Sequence, residues 1–164
     1  MNSISYINSE ISSHIVNEDY FAIKVVYDSS IELTKYIGFY YGDTDFLEFA
    51  IDRNSHIIKK FQLVVCNHFE IIDDDLSTAP IYESGCISIN LPQHNDCNAF
   101  IVYVYRNAVD ILLSRSPVNR IIRCGQVLFG LTNNYELVNI TVLEMSASEI
   151  SHTKEELNFG ISND

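Results

Sequence analysis

Two pairs of thiol and imidazole side chains are the residues of this sequence that could bind a metal. Cys66 and His68 are separated by one residue, and His94 and Cys97 are separated by two. Thiolate sulfur and imidazole nitrogen are ligands that zinc takes in tetrahedral protein sites. However, C-x-H is not a usual zinc-knuckle spacing, and Cys66 ends an apolar run in which a buried thiol fits. We therefore predict no metal and no other cofactor.

His94 and Cys97 could also belong to a nucleophilic site that includes Asn95. Residues this close in sequence rarely form a catalytic triad, because the base and the group that orients it usually come from different elements. The sequence has no G-x-S-x-G, H-E-x-x-H or phosphate-loop motif. We therefore expect a protein that is not an enzyme, with a scattered site around His94 and Cys97 as the least favoured alternative.

Acidic residues dominate the charge of the chain and are concentrated in one stretch. The net charge is -12, and no lysine or arginine occurs between Lys60 and Arg106. Phosphate binding requires clustered basic side chains, so we expect no nucleic-acid partner. A basic protein is favoured instead, because complementary charge accelerates association. The predicted partner-binding residues are the acids of this stretch: Glu70, Asp73, Asp74, Asp75, Glu83 and Asp96.

Two other interpretations of these acids stay open. A strongly acidic balance also serves simply to keep a cytoplasmic protein in solution. Residues 73–75 could bind a hard cation such as Ca²⁺, although they lack the spacing of a calcium-binding loop.

Short runs rich in β-branched and aromatic residues, separated by turn residues, indicate the elements that position these groups. Two pairs of runs predict hairpins, 46–51 with 57–66 and 126–131 with 137–143; in the second, paired asparagines tolerate a left-handed turn. Residues 109–113 form either the return strand of a third hairpin or a short helix. The other predicted strands are 20–27, 37–41, 86–91 and 100–105.

Helices are predicted near both termini. At the C-terminus Ser146 and Glu149 have the spacing of a capping box, and Ile150 and Leu157 share one helical stripe. Near the N-terminus, isoleucines spaced three, four and four residues apart predict an amphipathic helix: Ile4, Ile7, Ile11 and Ile15. The predicted class is therefore α+β, a largely antiparallel twisted β-sheet of about five to seven strands with flanking N- and C-terminal helices, in a single domain of residues 1–164.

Hydropathy predicts a protein without membrane association. No apolar run approaches the roughly 20 residues of a membrane span, and the first ten residues lack the apolar core of a secretory signal. We therefore expect a cytoplasmic protein. Its four cysteines are expected to be reduced and buried as small apolar groups: Cys66, Cys86, Cys97 and Cys124.

The chain resembles the immunity proteins of bacterial contact-dependent growth inhibition systems. The segments that carry the resemblance are LEFAIDRNSHIIKKFQLVVC (47–66) and CGQVLFGLTNNYELVNITVLEMSASE (124–149), within a small acidic domain. It is most similar to the branch that neutralises nuclease toxins by β-augmentation, in which a toxin hairpin pairs with the immunity protein's sheet.

This resemblance implies one-to-one binding of a cognate basic toxin domain, with no chemistry performed by the chain itself. The contact surface would combine an unpaired sheet edge with the acids of the 60–106 stretch. An unprotected edge would also allow two free copies to pair as a homodimer. A generic interaction domain for some other basic protein is the second hypothesis.

Overall fold

The computed structural model describes residues 4–7, 11–28, 30, 32–77 and 80–161, which form fifteen β-strands and one α-helix. In chain order these elements are β1 (Ile4–Ile7), β2 (His14–Ile15), β3 (Ile23–Val26), β4 (Thr34–Tyr41), β5 (Asp45–Asp52), β6 (Ile58–Val65), β7 (Phe69–Ile71), β8 (Glu83–Ser84), β9 (Cys86–Ile89), β10 (His94–Asp96), β11 (Ile101–Val104), β12 (Val109–Leu112), β13 (Arg120–Cys124), β14 (Val127–Leu131), β15 (Leu137–Val142) and α1 (Ala147–Ile161).

The strands form two large sheets and one small one. The first large sheet has six strands in the order β10-β4-β5-β6-β3-β2, and the second has seven in the order β7-β11-β12-β15-β14-β13-β8. The small sheet is the antiparallel pair β1-β9. Neighbouring strands are antiparallel except in three pairs, β10 with β4, β7 with β11 and β8 with β13. In each of these three pairs one member is a short strand at the edge of its sheet.

The two large sheets share one hydrophobic core. Alternation along β5 and β6 directs Leu47, Phe49 and Phe61 inward, and all three side chains are fully buried. The rings of Phe61, from the six-stranded sheet, and Phe129, from the seven-stranded sheet, meet edge to face at 6.3 Å. The facing surfaces of the sheets therefore pack directly against each other.

The C-terminal helix forms as the sequence predicts. Ser146 and Glu149 make both bonds of the capping box: the Ser146 N–H donates to Glu149 Oε2 at 2.8 Å, and the Glu149 N–H donates to Ser146 Oγ at 3.3 Å. Ile150 and Leu157 are buried in the shared core. Within the described residues, no helix has the length and apolarity needed to cross a membrane.

The predicted α+β class is wrong, because the protein is mostly β. The predicted N-terminal helix does not form: residues 4–7 pair with β9, and residues 14–15 pair with β3. Residues 8–10, which that helix would include, lie outside the described part of the chain. The spacing of the isoleucines fits a helix, but it fits equally well two separate strands, β1 and β2, that each direct an apolar side chain inward.

The two predicted hairpins are confirmed as the antiparallel pairs β5-β6 and β14-β15. Residues 109–112 form a strand that returns along β11, so the third hairpin is correct and the helical alternative is wrong. In the β14-β15 turn the left-handed residue is Tyr135, with a φ of 59°, rather than an asparagine. The number of strands exceeds the predicted five to seven because several two- and three-residue edge strands carry too few residues to show a pattern.

Candidate functional site

The chain passes directly from the six-stranded to the seven-stranded sheet at two places, and the carboxylate of Asp45 accepts a hydrogen bond from each of these connections. Residues 66–68 lead from β6 into β7, and residues 97–100 lead from β10 into β11. Asp45 is 1% exposed. Its Oδ1 accepts a hydrogen bond from the Asn67 N–H at 3.1 Å, and its Oδ2 accepts one from the Phe100 N–H at 2.8 Å. These bonds position β7 and β11 side by side at one edge of the seven-stranded sheet.

The strand β7 pairs with a neighbour on one side only. The backbones of His68 and Ile72 hydrogen-bond to β11 with N···O distances of 2.9 and 2.8 Å. Successive backbone groups of a strand point to alternate sides. The N–H and C=O groups of Glu70 therefore also point toward β11, while those of Phe69 and Ile71 point away from the sheet. No strand of the described residues pairs with this outer side. The edge therefore offers unpaired N–H and C=O groups.

The side chains of β7 divide between the two faces of the sheet. Phe69 packs against the shared core, and Ile71 is 51% exposed beside it. Glu70 lies on the opposite, outer face, where it is in register with Tyr103 of β11, which is in turn in register with Asp110 of β12. A strand added to β7 would thus meet an apolar side chain on one face and a carboxylate on the other.

Four of the six predicted partner-binding acids lie together, on β7 and just after it. Asp73 pairs with Arg106, whose Nε donates to Asp73 Oδ1 at 2.9 Å; this hydrogen bond raises the pKa of Arg106. The side chains of Glu70, Asp74 and Asp75 make no hydrogen bond or ion pair with the described residues, although Asp74 and Asp75 also help to raise the pKa of Arg106. The cluster therefore keeps a net negative charge next to the open edge.

The other two predicted acids lie elsewhere. Glu83 is on β8, at the opposite edge of the seven-stranded sheet, and accepts hydrogen bonds from Arg120 Nη2 at 2.7 and 2.9 Å. Asp96 is on β10, at an edge of the six-stranded sheet, and pairs with His94 at 3.0 Å. The six residues therefore do not form one continuous surface, and Glu83 and Asp96 already have partners within the chain.

The other sheet edges differ from β7 in charge or in backbone pairing. On β8 the carbonyl oxygen of Ser84 accepts a hydrogen bond from the Tyr6 hydroxyl at 2.9 Å. On β10 the backbone groups of His94 and Asp96 point to the open side, and the side chains of these two residues pair with each other. The remaining edge, β2, is two residues long. Among the four edges of the large sheets, β7 is the one whose outer backbone and most of whose neighbouring carboxylates lack partners within the described part of the chain.

The thiol and imidazole groups of the alternative hypotheses do not face one another. Cys97 Sγ donates to the Tyr40 carbonyl at 3.1 Å, whereas the His94 ring stacks on the Tyr40 ring at 4.3 Å. Cys66 Sγ donates to the carbonyl of His68 at 3.3 Å. Burial raises the pKa of Cys97 to about 11 and that of Cys66 to about 12, so both thiols are protonated at neutral pH. The described residues contain no cluster of three or more potential metal ligands.

The strand β7 was not predicted, because it lies between the predicted strands 57–66 and 86–91, where no strand was expected. The signal is present but short: Phe69 and Ile71 alternate with Glu70 over three residues. A three-residue alternation is too common to identify a strand without knowledge of its neighbour.

No protein-family model matches this chain, and no curated protein is significantly similar to it.

Proposed function

We propose that this chain is an immunity protein that binds a cognate basic toxin domain and neutralises it by accepting a toxin strand along β7. The observation that carries the proposal is the unpaired outer side of β7 next to Glu70, Asp74 and Asp75. Backbone pairing supplies affinity in this mode, and the flanking side chains select the partner.

The register of β7 predicts what a guest strand should carry. An antiparallel guest would exchange hydrogen bonds with the backbones of Phe69 and Ile71. The guest residue opposite Glu70 would then occupy a non-hydrogen-bonded position, where the Cα atoms of antiparallel strands are about 4.5 Å apart. An arginine or lysine there would stabilise the pair by roughly 0.2–1 kcal/mol.

A basic partner suits a nuclease toxin in particular. An enzyme that cuts DNA or RNA must bind phosphates, and it does so with clustered lysine and arginine side chains. An acidic protein seated on that surface would block substrate binding without performing any chemistry. Charge complementarity would also speed the encounter, which matters when the toxin must be captured before it acts.

The test is coexpression in bacterial cells with a candidate toxin domain from the genomic neighbourhood of this chain, scored as growth. The wild-type chain should restore growth, Glu70→Lys should restore it poorly, and Asp19→Lys should behave as wild type. Asp19 is a matched control because it is exposed, acidic and without a hydrogen bond or ion pair to the described residues.

The same edge would serve an interaction domain for another basic protein. Binding of the purified toxin domain without restored growth would favour that second hypothesis. If this chain neither binds the toxin domain nor restores the growth of cells that express it, the immunity proposal is wrong.

A further inference from the structure

A cavity of about 440 Å³ lies on the outer face of the seven-stranded sheet, separate from the edge at β7. Its polar floor is formed by Asp110, Asn139 and Thr141, and Leu76, Ile121 and Leu128 contribute to its apolar walls. The volume falls in the range of small-molecule sites, which are mostly apolar with a few convergent polar groups.

The floor is arranged around the carboxylate of Asp110. Its Oδ1 accepts a hydrogen bond from Asn139 Nδ2 at 2.8 Å and another from Thr141 Oγ1 at 2.7 Å. Gly130 leaves room for this arrangement, because a Cβ at that position would collide with Asn139 Oδ1. The second oxygen, Oδ2, has no hydrogen-bond partner among the described residues.

Asp110 also has no counter-charge among the residues that the structure describes. None of the described lysine or arginine side chains forms an ion pair with it, and burial raises its pKa despite the two hydrogen bonds. Glu48, on the six-stranded sheet, provides a contrast: Lys60 lies close enough to oppose the effect of burial on the Glu48 pKa. Asp110 is half-buried, and withdrawing a carboxylate from water without a cation beside it is costly; such groups concentrate at binding sites.

The donor set argues for an organic cation rather than a metal. Hard metal ions require several oxygen ligands, whereas this floor offers one carboxylate, and Asn139 and Thr141 direct donor groups toward it. A single ammonium group could donate to Oδ2 while its apolar stem lies against Leu128 and Ile121.

We propose that this cavity binds an ammonium group carried on a short apolar stem, with Asp110 as the anionic partner. The ammonium group could belong to a free amine or to a lysine side chain. Two probes distinguish these sources, benzylamine and N-acetyl-lysine methylamide, with benzyl alcohol as the uncharged control.

The experiment is titration calorimetry of the full chain with each probe. At least one ammonium probe should bind saturably, and benzyl alcohol should bind at least tenfold more weakly, since a charge-assisted hydrogen bond is lost. Tighter binding of benzylamine would identify a free amine as the ligand, and tighter binding of the lysine derivative would identify a side chain.

Two variants and one control complete the test. Asp110→Asn should weaken the ammonium probe at least tenfold, and Ile121→Trp should weaken it by filling the cavity without changing the charge. Glu48→Gln should bind as wild type, because it removes a carboxylate from the other sheet. Circular dichroism checks that each variant is folded. If no ammonium probe binds saturably, or if folded Asp110→Asn binds as tightly as wild type, the proposal is wrong.

Discussion

The carboxylate of Asp45 and the backbone N–H of Phe100 are hydrogen-bonded at 2.8 Å in the buried corner where the chain passes between sheets. Asp45→Asn should destabilise the protein by about 1–3 kcal/mol, because an amide has one acceptor oxygen and leaves a buried N–H of Phe100 or Asn67 unpaired. Urea denaturation measures this effect. Asp43→Asn, in the exposed turn just before β5, is the control and should leave the midpoint unchanged. Equal midpoints for the two variants would exclude this role for Asp45.

Proline at position 71 should separate partner binding from folding. The Ile71 N–H faces away from the sheet, and proline is tolerated on an edge strand at such a position. Ile71→Pro should therefore melt near the wild-type temperature yet bind the toxin domain at least tenfold more weakly. Ile72→Pro should instead unfold more easily, since the Ile72 N–H donates to the Val104 carbonyl at 2.8 Å. Retained toxin binding by folded Ile71→Pro would show that β7 is not the docking edge.

The carboxylates beside β7 should control the rate of toxin association. Reversing Glu70, Asp74 and Asp75 to lysine should slow association about tenfold or more at low salt and flatten its salt dependence. Asp73 is left intact because its pairing with Arg106 holds the loop. Stopped-flow mixing measures the rate, and Asp19→Lys is the control for a single reversal elsewhere. An unchanged rate and salt slope would remove the acids from the encounter surface.

Removing the charge of Asp110 should stabilise the folded chain at neutral pH. Burial raises the Asp110 pKa in the folded state, so the folded state holds more protons than the unfolded state. The contribution of Asp110 to the free energy of unfolding is then fully present below its unfolded-state pKa and is lost as the pH rises through its folded-state pKa. Asp110→Asn keeps an acceptor for Thr141 and Asn139. Between these two pKa values, the variant should therefore lose less stability than the wild type as the pH rises. Denaturation midpoints of the variant and wild type across the acidic to neutral range test this, and parallel curves would contradict it.

The thiols should react slowly in the folded protein. The pKa values of Cys66 and Cys97, about 12 and about 11, leave little thiolate at about pH 8, where an ordinary thiol of pKa about 8.5 reacts readily. Iodoacetamide should label the native chain far more slowly than the chain unfolded in urea, with half-buried Cys97 labelled first. Rapid labelling of native Cys97 would instead favour the hypothesis of an enzyme with a site at His94 and Cys97.

The long central strands were predictable because their patterns exceed five residues. Runs 46–51, 57–66, 126–131 and 137–143 combine β-branched and aromatic residues with clear turns, and each forms a strand in the predicted pairing. The N-terminal helix failed for a physical reason: the burial of Ile4 depends on pairing with residue 89, which is distant in sequence. Local periodicity contains no information about such a partner.

The candidate site was predictable in charge but not in geometry. The absence of lysine and arginine between positions 60 and 106 pointed to the acids on and after β7. That absence could not show that Glu83 and Asp96 lie on other edges and are paired with Arg120 and His94. Asp110 was missed entirely, because a single aspartate in an apolar run looks like any edge or turn residue until register places it beside Thr141.

The charge of β7 also affects how the chain treats copies of itself. Two identical β7 strands meeting around a two-fold axis centred on Glu70 would bring the two glutamates face to face, and like charges opposite each other destabilise a strand pair. The β7 edge therefore disfavours pairing with a second copy of the chain and favours a partner strand that carries positive charge. Glu70→Gln removes this repulsion and is the variant in which self-association should first become visible.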